Sequence, residues 1–397
     1  MQTKKGLRLT GAMAAITAGL LAACGGGGGG DSTVAQGSLR MALTDAPSCG
    51  YDHVYVTVEK VRVHKSDSAG DGEAGWEEIV LAQPKRLDLL ELTNGVLEEL
   101  GQTTLPAGSY NQVRLVLSEN GGATPLANAV QPTGSALVPL RTPSAQQSGL
   151  KLKTKFEVAA GGLADLVLDF DACSSVVTAG GTGAYNLKPV IRVAERVNTG
   201  IQGYVSTTLT LNGTRVSAQQ GGVVLRSTVP DATGKFVLPF LPAGSYDVVI
   251  ASEGRSTAVV TSVPVTATTT VVNGTSTAIL PPVSTVRDVT GTASVGSGTA
   301  TLVLDAQVRA SQALTGGPTI EVASTPVDAT NATYTLKLPA DAPVKAPYAA
   351  TGTLSFAPDS AVAGKYRLKA SAPDRVDVSR DADVSTANQV VDLEFAP

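Results

Sequence analysis

In LKLKTKFEV, Leu150–Val158, the residues Leu150, Leu152, Thr154, Phe156 and Val158 alternate with Lys151, Lys153, Lys155 and Glu157. A period of two belongs to a half-buried strand, one face joining a core and the other meeting water. HVYVTVEKVRVHK repeats the pattern with a change of parity: Val54, Val56 and Val58 lie on one face, Val61 and Val63 on the other. The switch near Glu59 and Lys60 predicts a β-bulge. Further strands are expected at 39–43, 76–81, 111–117, 163–170 and 185–193, with one short helix in LTNGVLEELG, weakened by Gly95. Aromatic residues make up 4% of the chain and charged residues 16%, while Gly, Thr, Ser, Val and Ala dominate. This is the composition of a secreted, turn-rich β protein and not of a helical enzyme.

The amino terminus specifies export. Lys4, Lys5 and Arg8 precede an apolar run too short to cross a bilayer, which ends at Cys24 and six glycines, Gly25 to Gly30. A basic region, a short apolar region and a small-residue processing site make a secretory signal. Leu21, Ala22, Ala23 and Cys24 resemble the lipobox of bacterial lipoproteins. The resemblance implies acylation of Cys24, removal of residues 1–23 and anchoring in a lipid bilayer. Each buried methylene contributes about 0.8 kcal/mol, so two or three acyl chains hold a protein where one does not. Residues 24–36 then read as a glycine-rich tether, whose six glycines have a root-mean-square reach of about 13 Å. Gly25 stands where an inner-membrane lipoprotein carries aspartate, which points to the outer membrane, facing the periplasm or the cell exterior.

Lipidation of Cys24 leaves Cys49 and Cys173 as one pair for a disulfide in an oxidising compartment, or as two buried thiols. The pair would close a loop of about 124 residues and contribute roughly 4 to 5 kcal/mol by the chain-entropy estimate. Loss of the leader makes the net charge more negative than the -4 of the whole chain. No basic stripe remains, so nucleic acid is excluded as an expected partner.

The run LTDAPSCGYDHVYVTVEKVRVHKS, followed by GWEEI, RLDLLELTNG, LPAGSYNQVRLVL, LKLKTKFEV, LVLDFDACSSVV and YNLKPVIRV, resembles the DUF4382 family over about residues 37–196. The resemblance implies an extracytoplasmic β-sandwich-like domain in which Cys49 and Cys173 lie near each other; it implies no established activity. A second segment, containing DATGKFVLPFLPAGSYDVVIASEG, is similar to carboxypeptidase regulatory-like or prealbumin-like sandwiches. Here Pro242 pre-sets a turn, Gly244 permits a positive φ and Tyr246 begins an alternating strand. LPAGSY also occurs at 105–110, and AVAGKY at 361–366 is a looser copy. The expected organisation is all-β: signal peptide 1–23, tether 24–36, and tandem β-sandwich domains over 37–198, 199–283 and 284–397.

Reactive groups are sparse. The two histidines, His53 and His64, fall on the polar parity of their local pattern, and no GxSxG, HExxH, P-loop or Rossmann motif occurs. Asp45 in the LTDAP turn, and Asp169 and Asp171 beside Cys173, are the candidate ligand or metal residues; turn capping is their simpler role. In DSAGDGEAGWEE, the residues Asp67, Asp71 and Glu78 have part of a calcium-loop spacing, but Ala69 occupies the third position; no cofactor is expected, and Ca²⁺ is the alternative this spacing offers. Trp76 beside this loop is either a core plug or a binding platform. The polar, proline-punctuated segment 123–148 reads as a second contact loop. These features predict a membrane-anchored, non-catalytic binding or structural module contacting a glycan or surface protein. The alternatives are carbohydrate binding, metal binding, or a hydrolase using the acidic cluster of the first domain.

Replacing Cys24 with Ser is expected to abolish partition into detergent and leave the precursor uncut. Unchanged size and membrane retention on immunoblots would contradict lipidation.

Overall fold

A computed structural model describes residues 34–397 apart from 46–49, 144–148, 181–182, 297–300 and 352; Cys24, its tether and Cys49 lie outside the described residues. The valine-rich segment forms one 14-residue strand, Tyr51–His64. Its register slips between Val58 and Lys60 against two of its partners, Glu77–Asp88 and Gly108–Leu117. This bulge lets Val54, Val56, Val58, Val61 and Val63 all reach the interior despite their change of parity. Leu150–Val158 alternates as its sequence requires, with Leu150, Leu152, Phe156 and Val158 buried.

The first module is a two-sheet sandwich. One sheet runs Ile191–Glu195, Leu163–Phe170, Gln36–Asp45, Glu98–Pro106; the central pair is parallel. The other is built around Tyr51–His64 and ends on one side at Leu150–Val158. Three sequence expectations are corrected here. LTNGVLEELG forms no α-helix: Asn94 and Gly95 both take positive φ, and Glu98–Pro106 is drawn into the sheet against Gln36–Asp45. The segment 123–148 is not a loop throughout, since Ala129–Pro132 and Val138–Arg141 join the second sheet and Asn128 is fully buried. The expected strand over 185–193 is two strands, Ala184–Leu187 and Ile191–Glu195, in different sheets.

The second module packs a three-stranded sheet around Gly200–Tyr204 against a six-stranded sheet. That larger sheet includes two strands from far downstream: Val344–Pro347 lies parallel to Ala258–Val265, and Ala357–Pro358 pairs beyond it. The third module pairs a sheet centred on Val286–Val295 with one running Thr319–Pro326, Gln307–Ala313, Lys365–Ser371, Val378–Asp383. The first module has its own aliphatic core and Val344 belongs to the core of the second, while Val249 and Val259 of the second module's larger sheet pack into the core of the third.

The two LPAGSY copies build the same corner. Tyr110 Oη donates to the Pro106 carbonyl and Tyr246 Oη to the Pro242 carbonyl, each at 2.8 Å. The expected positive φ occurs at Gly108 but not at Gly244, where an added Cβ would instead press on the Tyr246 ring and hydroxyl. The looser copy differs: Tyr366 donates to Pro339, on another strand.

Ala35–Pro397 form one compact unit, in which polar contacts between the modules add to the shared apolar packing of the second and third. Asn94 of the first module donates its amide N–H to Thr228 Oγ1 and accepts from the Val237 amide at 2.9 Å. Gln219 of the second makes two bonds to the backbone of Glu321 in the third, accepting at 2.7 Å and donating at 2.8 Å. Asp328 of the third accepts from Thr178 Oγ1 and the Gly180 amide of the first. Gly180 has a φ of +59°, and a side chain there would collide with the Thr330 hydroxyl.

Tyr246→Phe deletes one hydrogen bond and leaves the Pro242 carbonyl without it, so it is expected to lower unfolding free energy by about 1 kcal/mol. Urea denaturation checks this; an unchanged midpoint and slope would show that the corner contributes nothing.

Candidate functional site

Asp45, Asp169 and Asp171 are brought to one end of the first sheet. Gln36–Asp45 and Leu163–Phe170 run parallel with Thr44 opposite Asp169 and Asp45 opposite Phe170, so the three acids collect where these strands finish. Each has a structural contact. Asp45 accepts from the Ala172 amide at 3.1 Å, and Asp171 caps the short helix Ala172–Ser175 through the Ser174 amide at 2.9 Å. Asp169 faces Arg226 of the second module at 3.4 Å, with both side chains almost fully buried. Cys173 lies within the same short helix. Among the described residues, no three His, Cys, Asp or Glu side chains converge in a way that could hold a metal ion.

The buried ion pair is dominated by desolvation. Burial pushes the Asp169 carboxyl up to about 6, against the attraction of Arg226 and Arg192 and with some help from Asp171. Burial likewise pulls Arg226 below the usual guanidinium range, and nearby Arg192 adds repulsion. Both shifts disfavour the charged forms without neutralising the guanidinium, as expected when removal from water costs more than a long contact returns.

In front of this pair opens a cleft of about 880 Å³ between the first and second modules. Its walls are two sheet-edge strands of the first module, Leu150–Val158 and Ile191–Glu195, facing Leu225, Arg226 and the Tyr246 corner of the second. Lys151, Lys153, Arg192 and Arg226 line it, with Glu195 the one acid in the lining. Arg226 and Arg192 were not singled out in the sequence. Each lies in an ordinary strand segment, and only the packing of one module on the other joins them.

The Asp67–Glu78 segment is fastened from beneath. Arg114 is fully buried and donates to the Asp71 carboxylate and the Ala69 carbonyl. Its guanidinium centre lies 4.4 Å from the Trp76 ring centroid, and that of Arg62 lies 4.5 Å from it. Trp76 Nε1 donates to the Gly70 carbonyl at 2.8 Å, closing the loop on itself. Trp76 is therefore a clasp for the loop, held by cation–π contacts. Glu78 is engaged by Lys60 and Arg62, while Asp67 is exposed. His64 is not a solvated strand residue: its Nδ1 accepts from the Ser66 amide, which leaves Nε2–H to donate to the Ala74 carbonyl. His53 pairs with Asp88 and stacks on Tyr55.

Residues 36–189 match the model of DUF4382, a domain of unknown function. No curated protein matches the chain. Among solved structures, the Bacillus anthracis TIE protein is similar at 12% identity and a TM-score of 0.20, covering 91% of this chain and 51% of its own. The chain thus spans about half the length of that protein. A streptococcal ancillary pilin is similar at 11% identity over 91% of this chain and 99% of its own, with a TM-score of 0.18. The major pilin SpaA of Corynebacterium diphtheriae gives 13% identity, 91% and 100% coverage and a TM-score of 0.17.

Because the folded state holds the Asp169 proton that an unfolded chain releases, this group's stabilising contribution is complete below its ordinary value of 3.8 and is lost as pH rises toward about 6. Carboxyl-carbon NMR is expected to give an Asp169 midpoint near 6; a midpoint near the ordinary value would mean that water reaches the pair.

Proposed function

We propose that the protein is a lipid-anchored, non-catalytic binding or structural module outside the cytoplasm, in which three β-sandwiches act as one rigid body behind a short tether. The anchoring rests on the signal and the Cys24 lipobox, and the Cys49–Cys173 disulfide completes the same reading of an oxidising destination. The observation that supports the rigid body most directly is the set of polar latches at Asn94, Gln219 and Asp328, together with the downstream strand Val344–Pro347 built into the second module's sheet. Separate modules on flexible linkers need none of these. A rigid body holds its loops and clefts in fixed relation, which suits recognition or assembly. The second sandwich, read as carboxypeptidase regulatory-like, serves in this scheme as a scaffold and not as a catalyst.

Calorimetry of the purified full chain is expected to show one cooperative unfolding transition, and Gln219→Ala combined with Asp328→Ala is expected to split it. Independent transitions in the unaltered protein would remove the rigid-body reading. A stoichiometric metal accompanied by turnover of a substrate would overturn the non-catalytic one.

A further inference from the structure

We propose that the cleft between the first and second modules binds a small anionic ligand bearing a carboxylate or phosphate group, read by Arg192 and Arg226. This rests on the reading of the protein as a binding module and names the chemistry of its ligand. The cleft, at about 880 Å³, lies within the range of roughly 300–1,000 Å³ occupied by small-molecule sites.

Its charge is one-sided. Lys151, Lys153, Arg192 and Arg226 line the space against Glu195 alone, and Asp169 reaches Arg226 from behind, with Asp171 next to it. The lysines by themselves have a simpler role, since charged side chains on an edge strand discourage pairing with another chain. The arginines do not share that explanation. Arg226 is 6% exposed; its Nη atoms donate to Asp169 and to the Leu225 and Phe240 carbonyls, but its Nε is buried with no hydrogen-bond partner among the described residues. One Nη of Arg192 is in the same state.

Two guanidiniums held close together repel each other, and their unmatched N–H groups are costly to bury. An oxyanion entering the cleft would offset the repulsion directly, and a small turn of either guanidinium would bring its unmatched N–H to the ligand, because planar guanidinium donors fit carboxylate and phosphate oxygens in pairs. Leu152, Ile191, Phe240 and Tyr246 supply the apolar wall for the body of such a ligand. The walls come from different modules, so binding is tied to their mutual packing.

Isothermal titration of the full-length protein in detergent with sodium glucuronate and, separately, inorganic phosphate tests the site, with glucose as the neutral control. Binding of either anion but not of glucose supports it, and which anion binds more tightly assigns the source of the negative charge. Arg192→Gln is expected to weaken that binding at least tenfold. Lys151→Gln with Lys153→Gln, both exposed, is expected to keep the melting temperature and flatten the salt dependence. Failure of both anions to bind at millimolar concentration, or binding that is unaltered in both variants, would overturn the site. A negative result here leaves the single unfolding transition intact, so it is distinguishable from failure of the rigid-body reading.

Discussion

The open edge of the second module's sheet sets the arrangement of the carboxyl-terminal half of the chain. Ala258–Val265 presents unpaired backbone groups that must meet water or another strand, and Val344–Pro347 supplies the strand. Because that segment lies inside the third module's sequence, the pairing pulls the third module onto the second. Gln219 then bonds to the backbone of Glu321 on both its N–H and its C=O sides, much as another strand would. Arg215 approaches the Glu321 carboxylate over the same seam. The second module's larger sheet is therefore not built from consecutive stretches of chain.

The first module is held by a different means. It meets the others through turns and strand ends, with Asn94 entering the second module and Asp328 reaching from the third to Thr178 and Gly180. Asp328 illustrates the balance: burial would raise its carboxyl, but hydrogen bonds from Thr330, Gly180 and Thr178 outweigh this and lower it to about 2. Asp169 falls on the opposite side of the same balance, since desolvation prevails over a single long contact to Arg226. The junction that is well satisfied is structural. The junction with unmatched guanidinium donors is the one that opens into a cleft.

Much of the strand framework was legible because it depends on neighbours one and two residues away. The parity change around Glu59 and Lys60 required a bulge, and the register slips there. The repeated LPAGSY led to repeated corners because proline, glycine and tyrosine act within a single turn. The expected helix at LTNGVLEELG failed because Asn94 and Gly95 take left-handed conformations ahead of the strand Glu98–Pro106, and Asn94 docks on another module. Polar composition made 123–148 look like a loop, whereas Asn120 and Asn128 hydrogen-bond the backbone that lets its strands join the sheet. Arg114 gave no signal at all, since its place on the outward parity of a strand says nothing of the loop folded over it.

By itself the sequence determined the all-β class, the positions and faces of several strands of the first module, the bulge and the proline–tyrosine turns, since side-chain alternation and turn dihedrals are local properties. Tertiary structure decided which strands share a sheet, that Val344–Pro347 pairs with the distant Ala258–Val265, and that Arg192 and Arg226 line one cleft with Asp169 behind Arg226. These pairings depend on edges and buried charges that must be satisfied wherever the chain brings them together, and their partners are too distant in sequence to leave a local pattern.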